Sequence, residues 1–96
     1  MNDTPKYDFS GYTRQGLKNV AFPYFYGSWQ DADVAKNSFA GQAASVLCGG
    51  DDKRPEPHLI GKSPSKDEER AGTLPAHIRE WYRNQKFDMG EEDLQV

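Results

Sequence analysis

Val20-Ala21-Phe22-Pro23-Tyr24-Phe25-Tyr26-Gly27-Ser28-Trp29 carries five aromatic residues in its last eight positions: Phe22, Tyr24, Phe25, Tyr26 and Trp29. Each such side chain buries roughly 150–250 Å² when covered, so this cluster anchors either the fold or an interface with another molecule. Val20, Phe22, Tyr24 and Tyr26 alternate, which puts them on one side of a strand. Pro23 lies on the other side and lacks a backbone donor, which restricts such a strand to an edge. The pattern predicts an edge strand or a bound extended segment. Upstream, Tyr7, Phe9 and Tyr12 stand among Asp, Ser, Gly and Thr and read as an irregular chain carrying further aromatic anchors. Residues 1–27 together form an aromatic N-terminal arm in this reading.

Downstream the periodicity changes. Ser28-Trp29-Gln30-Asp31 loosely matches a capping box, and Asp31 and Asp33 suit the positive end of a helix dipole. Ala32, Ala35, Phe39, Ala43, Val46 and Leu47 recur at helical spacing, while Asp33, Lys36, Asn37 and Gln42 occupy other faces. Gly49-Gly50 supplies the stop. These signals predict one helix over 28–48. Its apolar face is mostly small, with Ala40, Gly41, Ala44 and Ser45 adding to the alanines, so another backbone can approach closely. Close packing would offset the loss of about 1 kcal/mol that Gly41 costs relative to Ala.

Residues 49–72 are polar, contain Pro55, Pro57 and Pro64, and are interrupted only by Leu59-Ile60. They read as a long loop, in which Ser65-Lys66-Asp67-Glu68 fits a capping box and can start one helical turn. A second helix is predicted over 73–86, with Pro75 tolerated in its first turn. Leu74, Ile78, Trp81 and Tyr82 line its apolar side, and Arg79, Glu80 and Arg83 face away. Residues 87–96 form a tail. The fold class is thus mainly α with large irregular content, a single small domain of two short amphipathic helices, a polar loop and an extended aromatic arm or edge strand.

Composition narrows the function. Leu, Ile, Val and Phe together make only 16 of the 96 residues, while there are twelve aromatic residues. Apolar burial in a chain this small roughly balances the entropy of ordering it, so a partner that adds burial is expected. The net charge is −3, from 12 basic and 15 acidic residues in mixed order. That balance opposes phosphate, although Arg79, Arg83 and Lys86 interleave with Trp81 and Tyr82 as cations do in single-strand binders. The lone Cys48 excludes an internal disulfide, Met1 to Lys6 carry no apolar signal core, and no apolar run reaches the ~20 residues of a membrane span. A cytoplasmic, intracellular protein is expected.

Chemistry-bearing patterns are sparse. Cys48 falls at a helix C-terminus, where the dipole disfavours a thiolate. His58, His77 and Cys48 lack the paired spacing of metal ligands, and His77 sits four residues from Trp81, within stacking reach. Asp51-Asp52 and Glu68-Glu69 lie in polar context and read as solvated carboxylates. Leu94-Gln95-Val96 has the alternating form accepted by strand-adding grooves, set against the fraying common at termini. No phosphate-loop or dinucleotide glycine spacing occurs.

No catalytic residue, cofactor or metal is therefore assigned. The expectation is a non-enzymatic accessory subunit, inhibitor or adaptor that docks on a larger protein or assembles as a homo-oligomer. Phe22, Tyr24, Phe25, Tyr26, Trp29, Trp81 and Tyr82 are the expected contacts. The alternatives are an accessory component of a self-assembling particle such as a virion, and single-stranded nucleic-acid binding through Arg79, Arg83 and Lys86.

Overall fold

The computed structural model describes residues 5–27, 29–56, 64–71 and 73–85. Its described residues contain five helices and no strand: α1 (Arg14–Tyr26), α2 (Ala32–Asn37), α3 (Phe39–Cys48), α4 (Lys66–Ala71) and α5 (Ala76–Gln85). A mainly helical fold is as expected, but the elements differ from those read in the sequence.

The largest correction concerns the aromatic stretch. Val20 to Tyr26 is the second half of α1, with Pro23 inside the helix. Leu17, Lys18, Ala21, Tyr24 and Phe25 are buried at helical spacing, whereas the strand alternation would have grouped Tyr24 with the half-buried Phe22 and Tyr26. An interior proline forfeits one helical hydrogen bond, a cost of about 3 kcal/mol. Here Pro23 is exposed and stands one turn from the helix end. Burial of Tyr24 and Phe25, each fully covered, offsets the loss. Thr13 starts the helix by accepting from the Gly16 N–H at 3.0 Å. Beyond its end, Gly27 is required for space: a Cβ there would fall 2.4 Å from Trp29 Nε1 and 2.5 Å from the Pro23 carbonyl oxygen.

The expected single helix over 28–48 is instead two, broken at Ser38. Ser38 N–H and Oγ both donate to the Ala35 carbonyl, at 3.3 and 2.7 Å, closing α2. The same Oγ accepts from Gly41 N–H at 3.0 Å and opens α3. A serine hydroxyl that competes for backbone partners is the physical cause of the break. Gly41 makes the fold-back possible, since a Cβ there would lie 2.0 Å from the Ala35 carbonyl oxygen. The close backbone approach anticipated at the small residues thus includes the preceding helix. The stop at Gly49-Gly50 is where the sequence places it: Gly49 has φ 90° and donates to Val46, and Gly50 donates to Ser45 at 2.9 Å. This pair of bonds is a Schellman closure.

Within the region read as a loop, Ser65 and Glu68 form a reciprocal capping box, each side chain accepting from the other's N–H at 3.1 Å. It starts α4. Leu74 and Pro75 are fully covered ahead of α5, whose Ile78 and Tyr82 enter the core. α1 packs principally on α3, where Ala43, Ala44, Leu47 and Cys48 are buried. Tyr24 from α1 donates its hydroxyl to the Pro55 carbonyl, and the Phe25 ring meets Tyr82 edge-on at 6.5 Å. Three of the expected anchors, Tyr24, Phe25 and Tyr82, thus bind the chain to itself.

Candidate protein-binding site

Of the expected arm, residues 14–26 are helical, and the described residues 5–12 ahead of that helix lie on α3. One side chain holds it. Gln42 Oε1 accepts from Tyr7 N–H at 3.1 Å, and Gln42 Nε2 donates to the Pro5 carbonyl at 2.7 Å. The amide therefore pairs with residues i and i+2 of an extended backbone, as a neighbouring strand's peptide group would. Gln42 Nε2 also donates to the Asn37 carbonyl at 3.2 Å, which fixes its orientation at the α2–α3 junction.

Rings complete the attachment. Phe9 stacks on Phe39 with centroids 5.1 Å apart and planes 16° apart, and Tyr7 meets Phe39 at 4.8 Å. Tyr12 closes on Phe9 edge-to-face at 5.5 Å. Such geometries contribute about 0.5–1.5 kcal/mol per pair beyond area burial. Phe9 is covered, but Tyr7 (42% exposed), Tyr12 (41%) and Phe39 (39%) share a surface. A cavity of about 200 Å³ lies between Lys6, Tyr7 and Phe9 of the arm and Gln42, Ser45 and Val46 of α3, with Asp51 in its wall.

Polar groups brace this region. Asp8 Oδ1 accepts from Ser10 N–H at 3.0 Å, and that bond holds the Asp8 carboxyl below its ordinary range. Tyr12 N–H then donates to the Phe9 carbonyl, turning the chain into the Thr13 cap. Asp51 accepts from Ser45 Oγ at 2.7 Å and Arg54 Nη1 at 2.9 Å, and both bonds lower its pKa.

The residues singled out from sequence scatter. Tyr24, Phe25 and Tyr82 are fully covered by the chain itself, so they offer no surface. Phe22, Tyr26, Trp29 and Trp81 are half-buried. The Phe22 and Tyr26 rings meet at 4.6 Å with planes tilted by 51°, and burial, with Glu68 and Glu69 nearby, raises the Tyr26 phenol pKa. Two members of the basic trio fall among the described residues. Arg79, expected on the solvated face, is buried and pairs with Glu68 at 3.4 Å; Arg83 is exposed, and Lys86 lies outside the described residues, as do His58 and Leu94-Gln95-Val96.

Cys48 sits buried at the end of α3, its thiol pushed up to about 12 by burial. Among the described residues no group of three or more His, Cys, Asp or Glu is placed to hold a metal ion, and no helix is long and apolar enough to cross a membrane. The sequence reading credited Phe39 to the apolar face and Gln42 to another, and it missed their joint role. The available signal was the alternation of Tyr7 and Phe9 opposite an i, i+3 pair on a helix. Comparison of the chain with protein-family models, curated proteins and solved structures finds no match in any of the three.

Proposed function

We propose that this chain is a small non-enzymatic protein-binding protein, an accessory subunit, inhibitor or adaptor, that docks through the face made by its arm and α3. The observation that carries this reading is the exposure of Tyr7, Tyr12 and Phe39 on one ring cluster. Tyrosines and phenylalanines assembled in this way are typical of the centres of protein interfaces. Phe22, Tyr26 and Trp29 are half-buried and serve as the comparison set.

The test is a pull-down from native extract with mass spectrometry, comparing the wild type with Tyr7→Ser/Tyr12→Ser/Phe39→Ser and with Phe22→Ser/Trp29→Ser. The reading expects one partner to be lost with the first variant while far-UV circular dichroism keeps its helical signal. Retention of every partner by that variant would overturn it. A second reading, a component of a self-assembling particle, draws support from the arm itself, because arms of this kind can lie on a neighbour as well as on their own chain.

A further inference from the structure

We propose that the α3 groove accepts residues 5–9 of a second copy of this chain, so that two copies pair by exchanging arms. The inference rests on reading this face as a protein-binding surface, and it names the partner. The groove's complementarity is already on display, since it recognises an extended segment by backbone pairing to Gln42 and by rings at alternate positions, Tyr7 and Phe9, on Phe39. Another copy presents the identical segment, with every contact reproduced between chains.

The connection to α1 is suited to opening. Ser10, Gly11 and Tyr12 are exposed, and the turn they make is closed by a backbone bond from Tyr12 N–H to Phe9 C=O at 3.0 Å and by Ser10 N–H donating to Asp8 Oδ1 at 3.0 Å. A Cβ on Gly11 would meet nothing within 4 Å. Exchange therefore gives up only the turn and regains the arm contacts, which is why swapping an element is a low-cost route to a dimer. With the turn closed, the tether holds the arm at an effective concentration of ~mM beside its own groove. Dilute wild-type chains accordingly keep their arms in cis, and whatever disfavours the turn favours exchange.

Gly11 occupies the third position of that turn, where proline is disfavoured because it drives the preceding residue out of the helical region. Gly11→Pro opens the hinge without touching arm or groove. Light scattering after gel filtration should show its dimer association constant raised about tenfold or more, because pairing two chains relieves two weakened closed turns at once. The exchange itself is read by mixing. In the Gly11→Pro background, Gln42→Ala damages the groove and Phe9→Ala damages the arm. Each alone should dimerise poorly, and their mixture should recover a heterodimer containing one intact arm–groove pair, identified by native mass spectrometry with one chain mass-tagged.

A Gly11→Pro chain with native helicity that stays monomeric, or a mixture with no recovery, would overturn the proposal. Should these variants fail to fold, isotope-filtered NOE spectra of the full wild-type chain at millimolar concentration decide. Contacts between Tyr7 of a labelled chain and Phe39 of an unlabelled one support exchange, and their absence refutes it. Loss of exchange with the pull-down partner still captured leaves the surface reading standing; loss of that partner alone removes only the larger-protein reading.

Discussion

The Cys48 thiol lies 3.1 Å from the Tyr82 hydroxyl in the buried core, tying the last residue of α3 to α5 across 34 positions of chain. Neither group has water to fall back on. Tyr82→Phe keeps the ring and its edge contacts with Phe25 and Trp81 but removes the hydroxyl. The expected loss is about 0.5–1.5 kcal/mol in a urea unfolding curve, the net contribution of one such bond. Cys48 should also react slowly with iodoacetamide in the folded chain at pH 8 and quickly in urea, since its thiolate forms only near pH 12.

Alkaline pH should destabilise the chain early. Burial raises Cys48 from its ordinary 9.0 to about 12 and Tyr24 from 10.0 to about 12. An acid whose folded pKa is raised keeps its proton in the folded state after the unfolded chain has released it. The unfolded state then binds fewer protons, so stability falls as pH rises. Between neutral pH and about pH 9 thermal melts should be level, and they should drop progressively from there toward pH 12. A melting temperature unchanged between pH 8 and 11 would contradict these two burials.

Glu68 and Arg79 form a buried pair whose side chains are each 8% exposed. Removing one partner strands the other's charge, so Arg79→Met should cost about 3–5 kcal/mol by denaturant titration. Adding Glu68→Gln should recover part of that loss, because the amide oxygen still accepts from Ser65 N–H in the capping box.

Glycine substitutions should separate by position. Gly41→Ala gains about 1 kcal/mol of helix propensity, yet its Cβ collides with the Ala35 carbonyl, so net destabilisation is expected. Gly49→Ala is unfavourable for a different reason, its φ of 90°. Gly11→Ala meets open space and should be neutral or stabilising by up to about 1 kcal/mol, through the unfolded chain. Thermal melts of the three variants check the order.

Gln42→Ala should loosen the arm while leaving the helices intact. The Tyr7 amide, whose acceptor is Gln42 Oε1, should lose protection in hydrogen exchange, and the amides of α1 and α3 should keep theirs.

Local chemistry is what the sequence by itself determined. The Ser65/Glu68 capping box, the Gly49-Gly50 stop and the position of α5 after Pro75 each depend on residues a few positions apart, and each was legible without the fold. Tertiary structure decided the state of Val20 to Tyr26, whose spacing satisfies both a two-residue and a helical period. The choice went to the helix because only that conformation sends Leu17, Ala21, Tyr24 and Phe25 together into the core with Ala43, Ala44 and Tyr82. It also decided the burial of Arg79 against Glu68 and the meeting of Gln42 with Pro5 and Tyr7. These contacts join positions that lie far apart along the chain, or depend on how one helix packs on another, and packing is a property of the assembled surfaces that no local window contains.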